Sequence, residues 1–395
     1  MPTRTRGRTR TGTSAPAPGP LDTFRGLNRS GALTARGITA TLETPGCFRR
    51  AVFDAAGINL DSVAPVLGCP RGEQARHAFS RGNTFEERVM SNGCAELLAL
   101  LRTHLNLSIS AVRVVDLSSQ QVRADHGKIS NKLRATLTRQ HLARMLSGDA
   151  SAAVLLRHAM TTLQVNSRIA YLEQDALAFV TDGSIHVIEI KSFPELDGRA
   201  DPDKADAAAR QSAVYALSLI GTVSEAGFGP GAVSMEGLLV LPENFGLKPV
   251  GHVVDLTSRV NRLRRQLAAR PSNAELAELL PDGLILPLLP HPTRASQAEL
   301  AAVRPAVEAL FSALPPLFSD SCLACPAFRF CRDEAVRTGA VAQLGSTVSN
   351  ACGNVTAIGT ALALAHGRRH PDGEAEQALG EHLSRAVAVR NRAVS

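Results

Sequence analysis

Nothing in this 395-residue chain approaches 18 consecutive apolar residues, so no membrane-spanning helix is expected. The first twenty residues, MPTRTRGRTRTGTSAPAPGP, contain no apolar h-region, which excludes a secretory signal. They are rich in arginine and free of acids. That composition imitates a transit peptide, but the segment is read as part of a disordered basic arm over residues 1–35. No internal repeat is visible. Lysine is scarce, with five among 43 basic residues. The seven cysteines are an odd number without a secretory signal, which argues against a disulfide framework and for a cytoplasmic protein.

What is present is enough for a core. Apolar residues make up 44% of the chain, and its length suits one large domain or two ordinary ones. The net charge is +7, carried mostly by arginine. Guanidinium groups make bidentate contacts to phosphate, so a basic arm on a basic chain fits a polyanionic partner.

The pattern is helical from TPGCFRRAVFDAAGINL, with Phe48, Val52 and Phe53 on one side. Residues 85–105 read as one long helix or two short ones, SAVRVVDLS as a short strand, and RADHGKISNKLRATLTRQHLARML as a basic helix turning Leu133, Leu137, Leu142 and Met145 inward. The period then changes. SRIAYLEQDALAFV and SIHVIEIKSF read as two strands of a hairpin. A long helix follows Asp201, Pro202 and Asp203, which are good N-terminal residues. MEGLLVLP and GHVVDL are two further strands, and helices lead on to the clustered cysteines. The expected architecture is an α/β core with a mixed sheet, embedded in a helical chain. The expected divisions are a helical region at 36–160, the core at 161–260, a helical region with the cysteines at 261–335, and a helical tail at 336–395.

The hairpin carries chemistry. Glu189 and Lys191 are two residues apart in one apolar strand, so they share a face. Asp175 on the preceding strand can sit beside Glu189. Two close carboxylates repel each other unless a cation is present, and hard oxygen ligands suit Mg²⁺ or Mn²⁺. The Ile190 carbonyl can add a ligand. Lys191 can hold a water aimed at a phosphorus atom, which is phosphodiester hydrolysis. A surface salt bridge on a half-exposed strand is the plain alternative for an isolated Glu-x-Lys.

Four motifs in order resemble the PD-(D/E)XK nuclease superfamily, restriction-endonuclease-like in fold, and within it the RecB-like branch. GNTFEE is similar to the first motif, with Gly82, Phe85 and Glu86, although Glu87 competes for the same role. Asp175 matches the second motif, preceded by Gln174 where relatives have proline, and Glu189 and Lys191 match the third. RQSAVYAL supplies Gln211 and Tyr215, one helical turn apart. The chain's two tyrosines, Tyr171 and Tyr215, are both expected to flank the site. The resemblance implies a metal site of Glu86, Asp175, Glu189 and Ile190, a nucleophile positioned by Lys191, and orienting roles for Gln211 and Tyr215.

Cys322, Cys325 and Cys331 form C-x2-C-x5-C, which is metal-ligand spacing. An iron–sulfur subset of the RecB-like branch, which includes AddB-type nucleases and CRISPR-adaptation exonucleases, resembles this layout and has one further cysteine ahead of the first motif. CFRR resembles that element. The resemblance implies Cys47 as fourth ligand of a structural [4Fe–4S] cluster, with Cys94 and Cys69 as the other choices and zinc as the other metal. It covers residues from about 45 to 335.

The expected function is that of a metal-dependent DNA nuclease, an exonuclease on DNA ends or single strands in repair, recombination or phage defence. Relatives often work with a helicase or ATPase subunit. The rivals are a DNA-binding scaffold subunit with little activity of its own, and an RNA-processing nuclease.

Overall fold

The computed structural model describes residues 19–69, 74–106, 112–119, 123, 129–149, 154–179 and 183–394. Its centre is a six-stranded mixed sheet. The strands, in chain order, are β1 (Val114–Asp116), β2 (Leu155–Val165), β3 (Arg168–Phe179), β4 (Ile185–Ile190), β7 (Glu236–Pro242) and β8 (Pro249–Asp255). Between β4 and β7 lie the two strands of a small ribbon, β5 (Glu195–Leu196) and β6 (Arg199–Ala200). The sheet order is β1-β2-β3-β4-β7-β8.

β2, β3 and β4 form an antiparallel meander, and β1 lies parallel to β2. The Pro202–Glu225 helix then carries the chain across the sheet, so β7 runs parallel to β4. Asp201 starts that helix by accepting hydrogen bonds from the Asp203 and Lys204 amides at 3.1 and 3.2 Å, and Pro202 at the first position costs no hydrogen bond. Every residue of β4 is buried, as expected of an apolar strand covered on both faces.

Helices cover each face. On one, Ala213 and Leu219 of Pro202–Glu225, with Leu142 and Met145 of Asn131–Leu146, pack on Leu156, Leu177 and Val187. Leu133 and Leu137 of the second helix are only half-buried. On the other face, Phe85 and Val89 of Gln74–Val89 and Leu97 and Leu101 of Ser91–Leu105 pack on Leu155, Ile188 and Val240.

A separate core joins the two ends of the expected nuclease region. Val52 and Phe53 of the Phe48–Ala55 helix meet Phe311 of Gln297–Ala313 and Cys331 of Phe328–Thr338. The Phe53 and Phe311 rings lie 4.9 Å apart. The tail folds around its own small core of Val341, Val355, Ile358 and Leu364.

Two expectations are corrected. Residues 19–35 are not an arm, because the Pro20–Arg25 helix buries Leu21 and Phe24 against the core containing Phe53; residues 1–18 lie outside the described residues. Residues 155–160, placed in a helical region from the sequence, form the first half of β2. Their period-two pattern is interrupted at His158, which has φ +52°. Leu156 and Ala159 both face the same core, so the side-chain alternation is reset between them and the strand signal is lost.

Candidate functional site

The chemistry gathers at the C-terminal end of β4, an inner strand of the sheet. Glu189 is 1% exposed. Asp175 lies beside it on β3, one residue past Ala176, whose pairing with Ile188 is the last of the β3–β4 ladder. Asp175 Oδ2 accepts a hydrogen bond from the Ile190 amide at 2.8 Å. Lys191 stands one residue beyond β4, anchored by its amide to the Val240 carbonyl at 3.0 Å, and its ammonium pairs with Glu189 Oε1. Glu189 Oε2 is buried and has no hydrogen-bond partner among the described residues.

The charges are mutually dependent. Burial, then the neighbouring Asp175 carboxylate, push the Glu189 carboxyl up to about 8, against the pull of Lys191. Burial also raises Asp175, opposed by Lys191 and the Ile190 amide. Lys191 is held above its ordinary value by Glu189 and Asp175, which outweigh the cost of its burial. Two enclosed carboxylates with one ammonium leave an unbalanced negative charge.

The first motif reaches the same place. A Cβ on Gly82 would lie 3.8 Å from Ser192 Oγ, so the Gln74–Val89 helix crosses the exit of β4. Glu86 is half-buried and Glu87 exposed, which separates the two candidates. Glu86 Oε1 lies 3.6 Å from His158 Nε2, an ion-pair distance, and the nearness of His158 holds Glu86 below its ordinary value.

His158 and Asp116 were not legible as site residues. His158 Nδ1 is 2.9 Å from Asp116 Oδ1 at the end of β1. Ser118 adds its amide and hydroxyl to the same carboxylate oxygen, both at 2.8 Å. Asp116 and then Glu86 raise His158 to about 9. Burial alone would raise Asp116, but His158 and Ser118 hold it well below the carboxylate range. The one sequence signal is a histidine interrupting an apolar run, LLRHAMTTL.

Gln211 and Tyr215 stack one turn apart as expected, the Gln211 amide donating to the Tyr215 hydroxyl at 2.9 Å. Burial, then the Glu189 charge, raise the Tyr215 phenol, so it borders the carboxylates. Gln174 is buried, donating to Thr161 Oγ1 at 2.8 Å. Tyr171 stands four residues up β3, paired with Thr162, and is not beside the acids. Three arginines of the Asn131–Leu146 helix are engaged: Arg134 with Glu173 and the His158 carbonyl, Arg139 with Glu225, and Arg144 with Asp149.

The cysteines separate into two classes. Cys47 caps the Phe48–Ala55 helix, Cys322 lies in the Asp320–Ala324 turn, Cys325 ends that turn, and Cys331 rides on Phe328–Thr338. Burial pushes the Cys331 thiol up to about 12, opposed by Arg49, while Cys325 and Cys47 are near enough to raise it further. Cys325 is likewise raised by burial and by Cys47 and Cys322. Arg49 Nη1 donates to Cys331 Sγ at 2.9 Å, and Arg50 lies against Cys325. Cys69 packs with the Phe53 core, Cys94 lies against Met90, and Cys352 is in the tail core. Among the described residues, no group of three or more His, Cys, Asp or Glu side chains is placed to hold a metal ion.

No protein-family model and no curated protein matches the chain. A solved structure described as "Crystal structure of SSO0001" aligns over 45% of this chain and 85% of its own, at 14% identity and a TM-score of 0.19. Among the described residues no helix is long and apolar enough to cross a membrane.

Proposed function

We propose that this protein is a metal-dependent DNA nuclease of the PD-(D/E)XK superfamily, RecB-like and of the iron–sulfur type. The observation that carries it is Glu189 Oε2, buried without a partner beside a second enclosed carboxylate. An oxygen in that position calls for a cation. Further support is the order of elements: a helix bearing Glu86, a three-strand meander bearing Asp175, Glu189 and Lys191, a helix bearing Gln211 and Tyr215, then a parallel strand.

Asp175, Glu189 and the Ile190 carbonyl would hold Mg²⁺ or Mn²⁺, with Glu86 assisting. When bound, the metal supplies charge stabilisation for phosphodiester hydrolysis. Lys191 leaves Glu189 Oε1 and holds the attacking water by its ammonium. Gln211 and Tyr215, hydrogen-bonded to each other, would orient Lys191 and the scissile strand. Exonucleolytic action on DNA ends or single strands, a helicase or ATPase partner, and a role in repair, recombination or phage defence belong to the same proposal.

The cysteine set fits a thiolate-bound group. Four thiolates gathered together, two of them buried and two half-buried, would carry a large negative charge, and Arg49 and Arg50 stand against two of the sulfurs to balance it. A [4Fe–4S] cluster on Cys47, Cys322, Cys325 and Cys331 would tie the Phe48–Ala55 helix to the Phe328–Thr338 helix, a structural role. Zinc is the other metal these sulfurs suit.

The test is a Mn²⁺-dependent cleavage assay on single- and double-stranded DNA labelled at each end, with RNA in parallel. Glu189→Ala and Lys191→Ala are expected to abolish cleavage with fold and DNA affinity retained. Full activity in either variant sinks the assignment. Binding of DNA without cleavage by the wild type favours a scaffold subunit, and cleavage confined to RNA an RNA-processing enzyme.

A further inference from the structure

We propose that His158 is a further metal ligand of this site, oriented by Asp116; the inference rests on the nuclease reading above. Three independent features lead to it.

The first is the backbone. His158 adopts φ +52° inside β2, a conformation that costs a non-glycine residue about 1–3 kcal/mol and persists only where surrounding contacts impose it. Arg134 Nη2 fixes the kink by donating to the His158 carbonyl at 2.5 Å. The pairs Arg157 with Ala176 and Ala159 with Gln174 bracket the kink, so His158 stands opposite Asp175 in register. The strain is spent at the position facing a site carboxylate.

The second is the ring. Nδ1 is committed to Asp116 Oδ1 at 2.9 Å, which turns Nε2 to Glu86 Oε1 at 3.6 Å. A carboxylate behind one ring nitrogen, with the other aimed at a metal, is the usual way proteins fix a ligating imidazole. Donor atoms that share one ion at about 2.1 Å and near right angles lie roughly 3 Å apart, so a small approach of Glu86 and His158 brings both into one coordination shell. The Nε2 proton leaves to solvent as the metal binds.

The third is Glu189 Oε2, 1% exposed and unpartnered. It shows that the existing ammonium does not satisfy this pocket. An imidazole beside three carboxylates shifts selectivity from Mg²⁺ towards Mn²⁺, because nitrogen ligands suit the transition metal better.

The experiment uses the full chain, stripped of divalent ions and titrated with Mn²⁺ or Mg²⁺ by calorimetry, with pulsed EPR on the Mn²⁺ form. Wild type is expected to show ¹⁴N coupling from a bound imidazole. His158→Gln is expected to lose that coupling and to bind Mn²⁺ 10–100-fold more weakly, with a smaller loss for Mg²⁺. Asp116→Asn is expected to keep the coupling and weaken Mn²⁺, which preserves the test if His158→Gln does not fold. Glu189→Gln is expected to abolish binding of both ions. No nitrogen coupling in Mn²⁺-loaded wild type, or coupling and affinity unchanged in His158→Gln, overturns the inference while leaving the carboxylate site standing. Wild type that binds neither ion overturns the nuclease reading with it.

Discussion

Removing the Glu189 charge should make the metal-free protein more stable, not less. The glutamate is 1% exposed, and its carboxyl sits at about 8 instead of the ordinary 4.5. A carboxyl whose folded value is raised holds its proton more tightly in the native state. Its contribution is therefore favourable below about pH 4.5 and is lost as the pH climbs towards 8. Above that, ionisation withholds up to about 5 kcal/mol from the folded state at 1.36 kcal/mol per pH unit. The pull of Lys191 on Oε1 is already contained in that value; relaxation and water entering the charged pocket offset about half of the cost, so roughly 2–3 kcal/mol is the expected remainder. Glu189→Gln keeps the shape and removes the charge. In EDTA at pH 9 its melting temperature should exceed that of the wild type by about 5 °C, at roughly 2 °C per kcal/mol for a chain of this size. At pH 5 the two should agree. Mn²⁺ should raise the wild-type melting temperature at pH 9 and leave Glu189→Gln unmoved. The assay is a thermal-shift series from pH 5 to 9 with and without Mn²⁺. A variant that melts below the wild type at pH 9, or a difference independent of pH, would refute the idea that this pocket is short of positive charge.

The cysteines should divide as their positions do. Anaerobically purified protein should be brown; Cys47→Ser, Cys322→Ser, Cys325→Ser and Cys331→Ser should each lose the colour and become protease-sensitive. Cys69→Ser, Cys94→Ser and Cys352→Ser should stay coloured, and colourless wild type with one bound zinc would replace iron–sulfur by zinc. Arg49, 2% exposed, donates to Leu314 O, Cys331 Sγ and Glu334; Arg49→Ala should cost about 3–5 kcal/mol in urea unfolding by stranding a partly buried glutamate, and a loss under 1 kcal/mol would deny it that role. Deleting residues 1–18, which carry Arg4, Arg6, Arg8 and Arg10, should weaken DNA binding at low salt and flatten its salt dependence with the turnover of bound substrate unchanged. Unaltered affinity at low salt would mean that the arm serves something else.

The sequence alone determined what depends on short-range periodicity. Glu189 and Lys191 share a strand face because two residues make one pleat, and Asp175 lies 14 residues earlier, the reach of one hairpin. Gln211 and Tyr215 share a helix face for the same local reason, and Asp201 and Pro202 announce that helix. β2 was missed because a single residue with positive φ shifts the alternation on which strand recognition rests. Everything that joins distant segments was decided by tertiary structure. Nothing local distinguishes Glu86 from Glu87; the side of the helix that meets His158 does. Cys47, Cys69 and Cys94 are equivalent as letters, and only the packing of the Phe48–Ala55 helix against Phe311 brings the first of them to Cys325 and Cys331. His158 and Asp116 come from different strands, brought together by a parallel pairing whose register no short window contains. Periodicity is a property of neighbouring residues, whereas a site is assembled by the closure of long loops, and that closure is written in the whole core at once.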